Sequence, residues 1–79
     1  MVSPENIQKY IADGLACEHI AVDGDGHHFE AVIVSQAFEG KRLVARHQLV
    51  YGALGDRMRQ EIHALSMKTL TPAEWAQQH

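Results

Sequence analysis

The sequence predicts an α+β domain of two layers, helices packed on a mixed three-stranded sheet in the order helix, strand, strand, helix, strand, helix. Three observations carry this. Apolar residues recur at helical spacing at Ile7, Ile11 and Leu15; they alternate along His28 to Ser35; and Asp23-Gly24-Asp25-Gly26 supplies turn residues between two extended stretches.

Each element has its own local reason. Ser3 caps the first helix with Pro4 at its first position, and Gly14 ends it. Glu18 to Val22 suits a strand, and the Asp and Gly residues after it suit a tight hairpin connection. In the second strand Phe29, Ala31 and Ile33 share one face, while His28, Glu30, Val32 and Val34 take the other. A longer helix is expected from about Lys41 to Leu54, with Leu43, His47, Val50 and Leu54 stacked on one side. Asp56 to Glu61 suits a further turn, and Ile62 to Lys68 reads as the third strand. Thr71-Pro72-Ala73-Glu74 forms a capping box that opens a last helix carrying Trp75. The Phe38-Glu39-Gly40 turn reads as structural, with Phe38 in the core and Gly40 taking a backbone angle other residues avoid.

A chain of 79 residues buries only roughly 60 to 65 per cent of its unfolded surface, which leaves room for one core and so for a single domain over 1–79. Hydrophobic residues at 46% and charged residues at 22% suit a chain that folds. Seven basic against ten acidic residues give a net charge of -3, which offers a phosphate backbone no general attraction. One cysteine, Cys17, cannot close a disulfide within the chain, and Met1 to Tyr10 lack the pattern of a secretory signal, so a reducing cytoplasm is expected. Ala31 to Val34 and Leu49 to Leu54 are far too short to cross a bilayer. Cys17 has no basic neighbour in sequence and reads as small and inert. Histidine is the abundant reactive type, at His19, His27, His28, His47, His63 and His79, with His19 and His79 expected at the surface.

Three stretches, Ala37-Phe38-Glu39-Gly40, Arg46-His47-Gln48-Leu49-Val50-Tyr51, and Ile62-His63-Ala64-Leu65-Ser66 with Lys68-Thr69-Leu70-Thr71-Pro72, together resemble the BolA family. The hairpin Gly24-Asp25-Gly26-His27-His28-Phe29 and the ending Thr71-Pro72-Ala73-Glu74-Trp75-Ala76 are most similar to its acid-stress branch, called IbaG or YrbA. The resemblance implies a fold like the type II KH domain without its nucleotide-gripping GxxG loop, so the fold by itself does not imply RNA binding.

It also implies a partner, a monothiol glutaredoxin. The heterodimer would share a 2Fe-2S cluster ligated by the glutaredoxin cysteine, a glutathione thiol and histidine from this side, the isolated chain having no cofactor of its own. His63 matches the carboxy-terminal ligand histidine. A second ligand, where the family has one, comes from the hairpin loop, which leaves His28 or, as the weaker alternative, His27. Read without the resemblance, His63 between Ile62 and Leu65 is a partly buried strand residue, and His28 a solvated one. Imidazole binds iron only when neutral, so cluster retention is expected to weaken as pH falls through the histidine range.

The rival is a DNA-binding transcriptional regulator, in which Phe38 to Arg59 acts like a helix-turn-helix and Lys41, Arg42, Arg46, Arg57 and Arg59 line the surface. For Arg46 and His47, support of the core is an equal reading. No nucleophile with a paired base and no phosphate-binding glycine loop is visible, so an enzyme is not expected. Homodimerisation stays open, as does the choice among cluster delivery, iron sensing and transcription.

Overall fold

Ser3 opens helix α1 (Pro4–Gly14) as its chemistry requires, its hydroxyl accepting from the Asn6 amide at 3.1 Å. The computed structural model describes residues 2–78, so His79 lies outside the described residues. Strands β1 (His19–Gly24) and β2 (His28–Val34) form an antiparallel hairpin. A 3-10 turn, Gln36–Phe38, leads to α2 (Leu43–Leu54) and the single-turn α3 (Arg57–Gln60). Then come β3 (Ala64–Leu70), parallel to β2, and α4 (Pro72–Gln78). The sheet order is β1-β2-β3, with β2 in the middle.

The strand period divides the sheet cleanly. Phe29, Ala31 and Ile33 of β2 face α1 and α2 and join Ile7, Ile11, Phe38, Val50, Leu54 and Ile62 in the core. The two helices lie very close where Gly14 ends α1: a Cβ there would fall 2.8 Å from the Ala53 Cα, so only glycine fits. Phe38 is fully buried, and Gly40 turns the chain at φ 73°.

Several boundaries differ from the sequence expectation. β1 runs on to Gly24, because Gly24 pairs with Phe29 and the turn is confined to 25–27. The third strand begins at Ala64 rather than Ile62, because the Ile62 amide donates to the Arg57 carbonyl at 3.2 Å and closes the end of α3. Ile62 is still buried, reaching the core from the loop. α2 starts at Leu43 rather than Lys41, whose amide is held by the Phe38 carbonyl at 3.1 Å. Leu43, expected on the inner side, is exposed, since the first turn of α2 overhangs the core.

The fourth helix departs from a strict one-sided layer. Pairing of His19 with Val34, and of Val34 with Leu70, sets these three on the face opposite Phe29. Trp75 of α4 stacks on His19 with ring centroids 4.6 Å apart, covering that end of the face. Val34 and Leu70 are buried there, and His19, expected at the surface, is half-buried.

The capping box predicted at Thr71 is formed: the Glu74 amide donates to Thr71 Oγ1 at 3.1 Å, and the Thr71 amide to Glu74 Oε1 at 2.8 Å. Glu74 also pairs with Arg46 of α2 at 2.7 Å, and Arg46 donates to the carbonyls of Lys41 and Thr69. Arg46 first, then the Thr71 amide, hold the Glu74 carboxyl down from an ordinary 4.5 to about 2. A depressed folded-state value gives stability that is present in full above the unfolded value and is lost as pH falls from about 4.5 through about 2. Glu74→Gln is therefore expected to lower the urea midpoint at neutral pH, and the gap from wild type to close as pH approaches about 2. A gap unchanged across that range would mean that Glu74 acts without its charge.

Candidate histidine site at the hairpin end of the sheet

The site residues sit where the hairpin turn meets the start of β3. Asp25 shapes the turn: its Oδ1 accepts from the amides of His27 and His28, each at 2.9 Å, and Gly26 takes φ 102°. Those two bonds, the one from His28 foremost, lower the Asp25 carboxyl below its ordinary range. The His27 carbonyl accepts from the Ala64 amide at 3.1 Å, fastening the turn to the residue after His63.

This fastening brings two exposed imidazoles together. The rings of His27 and His63 stand edge to face with centroids 6.1 Å apart. His63 is thus an exposed loop residue before β3, not the partly buried strand residue its neighbours suggested. His28 is exposed and lines a cleft of about 310 Å³ with Asp23, Glu30 and Ser66. The structure therefore joins His63 to His27, the alternative that ranked second, and gives His28 an acidic and hydroxyl setting. Among the described residues, no three His, Cys, Asp or Glu side chains cluster so as to hold a metal ion.

The remaining histidine of the middle of the chain, His47, is partly buried on α2, with Nε2 enclosed and without a hydrogen-bond partner. Cys17 is half-buried, its thiol donates to the Leu15 carbonyl at 3.2 Å, and burial raises its pKa, all of which suits an inert thiol.

The basic residues of the central segment are dispersed. Arg46 is turned inward to Glu74 and Thr69, Arg57 lies over the Tyr10 ring at 4.1 Å, and Arg59 pairs with Asp56 at 3.0 Å. Lys41 and Arg42 remain exposed at the start of α2. The stretch likened to a helix-turn-helix holds one full helix and the four residues of α3, too short to serve as a recognition helix. No helix among the described residues is long and apolar enough to cross a membrane.

Comparison with known proteins agrees on one family. A sequence model described as BolA-like protein matches residues 11–74. The acid stress protein IbaG of Escherichia coli (strain K12) is 41% identical, with 89% of this chain and 84% of that protein covered. The DNA-binding transcriptional regulator BolA of Vibrio cholerae is 44% identical over 75% of this chain and 56% of its own length. Among solved structures, a bolA protein homologue from Coxiella burnetii superposes with a TM-score of 0.89 at 48% identity, covering 96% of this chain and 99% of the other.

Proposed function

The chain belongs to the BolA family, and from that premise we propose that it pairs with a monothiol glutaredoxin to hold or pass on a 2Fe-2S cluster. The observation that supports this most is the meeting of His27 and His63 at an exposed corner. Two imidazoles are too few to make a metal site alone, and they suit one completed by a second molecule. They also suit the chemistry, since a pair of histidines can serve one iron of a 2Fe-2S unit in place of two thiolates. The glutaredoxin cysteine and a glutathione thiol would serve the other iron. His63 and His27 would hold the cluster from this side, with His28 as the alternative to His27.

The test mixes the pure protein with an anaerobically cluster-loaded monothiol glutaredoxin and glutathione, and follows mass and visible circular dichroism together. A heterodimer with an altered cluster spectrum is expected. Separate species with the spectrum of the glutaredoxin alone would overturn the reading.

DNA binding is the second reading, favoured by the name of the Vibrio relative. Against it stand the net charge of -3 and the internal engagement of Arg46, Arg57 and Arg59. Were it correct, affinity for a defined DNA site would fall steeply with salt, whereas the glutaredoxin complex would tolerate salt.

A further inference from the structure

Two Asp-Gly pairs precede the histidines of the hairpin, and their carboxylates hold different atoms. Asp23 Oδ1 accepts from the amide of the next residue, Gly24, at 2.8 Å, a bond that stays within β1. Asp25 Oδ1 reaches forward to the amides of both His27 and His28, each at 2.9 Å. One carboxylate oxygen thus organises 25–28, and Gly26 at φ 102° supplies the backbone angle that the turn requires.

The consequence falls on His27. Its side chain is exposed, so burial in the core does not fix where it points. The backbone does. The peptide before its Cα is held through the His27 N–H, by Asp25. The peptide after it is held at both ends, the His27 carbonyl accepting from the Ala64 amide at 3.1 Å and the His28 N–H donating to Asp25. With both planar peptides held, φ and ψ of His27 are set, and with them the direction of its Cα–Cβ bond. That direction brings its ring edge to face with His63, centroids 6.1 Å apart. The hairpin itself closes separately, by the Asp25 amide donating to the His28 carbonyl at 3.2 Å, a backbone bond that leaves His27 out.

We infer that Asp25 is a positioning residue: it presents His27 to His63 and so assembles the histidine pair before any ligand arrives. The turn needs an accepting oxygen at the length of an aspartate side chain. Asparagine keeps that oxygen, glutamate carries it one methylene too far, and alanine lacks it. Assembly in advance matters because a partner that needs both rings binds in proportion to the fraction of chains in which they stand together. The role toward a cluster rests on the glutaredoxin reading, whereas the placement of His27 does not.

Nuclear magnetic resonance of the free full chain is the test. A nuclear Overhauser contact between the His27 and His63 rings is expected in wild type, in Asp23→Ala and in Asp25→Asn. It is expected to vanish in Asp25→Ala and Asp25→Glu, while the strand contacts Gly24–Phe29 and Phe29–Leu65 remain. Asp25 is exposed, so these variants should stay folded. Mixed with cluster-loaded glutaredoxin, Asp25→Ala is expected to bind about tenfold more weakly than wild type, for the loss of two hydrogen bonds, and Asp25→Asn to bind as wild type does. A ring contact that survives Asp25→Ala, or is absent from wild type, overturns the inference whatever the glutaredoxin result. Loss of the contact in Asp25→Asn overturns it too, because the accepting oxygen is still there. Loss that comes only together with the Gly24–Phe29 pairing would make Asp25 a part of the hairpin and no more. If wild type fails to bind glutaredoxin and the contact is still lost in Asp25→Ala alone, the glutaredoxin reading falls and Asp25 stands as the residue that places His27.

Discussion

Phe29→Ala is expected to lower the unfolding free energy by about 3–5 kcal/mol. Phe29 is 1% exposed, at the centre of the sheet row Gly24-Phe29-Leu65, and it is among the largest buried side chains. The domain has little to spare, because a chain of this size is stable by about 4–12 kcal/mol at the usual 0.05–0.15 per residue. Collapse around the gap is restricted, since Phe29 lies on the middle strand and is bonded on both sides. Urea unfolding at neutral pH checks this. A loss under about 1 kcal/mol would show that the hairpin end of the core is not close-packed.

The second large effect is functional. His63→Ala is expected to abolish the altered cluster spectrum of the glutaredoxin complex while leaving the chain folded, because His63 is exposed in a loop and its ring touches His27 rather than the core. His27→Ala is expected to give a complex with a changed and less persistent spectrum, one iron having lost a ligand. His28→Ala should leave the spectrum as in wild type, since His28 lies in the cleft with Asp23 and Glu30. Reversal of the last two outcomes would give the second ligand position to His28. Full retention of the spectrum by His63→Ala would remove this end of the sheet from the cluster site.

Much of this arrangement was readable in the residues. The alternation of Phe29, Ala31 and Ile33 and the Thr71–Glu74 capping box needed only local rules, and both are present as expected. What could not be read locally depends on contacts between distant segments. The start of β3 is fixed by an Ile62 amide turned back to Arg57, which no strand propensity encodes. Arg46 was legible as a cation but not as the partner of Glu74, because α4 must first fold against the end of the sheet. Which of His27 and His28 stands beside His63 had a faint signal. Asp25-Gly26 places the tightest part of the turn two residues later than the first Asp-Gly pair, which leaves His27 in the turn and sends His28 into the strand. The partnership of His27 with His63 then follows from the parallel register in which His28 stands beside Ala64, a fact of topology rather than of composition.

The bond from the Ala64 amide to the His27 carbonyl has a consequence for biosynthesis. On the ribosome the hairpin emerges before β3, and β2 has no parallel partner until β3 has emerged as well. During that interval His27 is present but has no companion. A chain whose third strand has not yet docked thus keeps His27 and His63 apart, and any cargo that needs both is withheld until β3 has emerged and the sheet has closed.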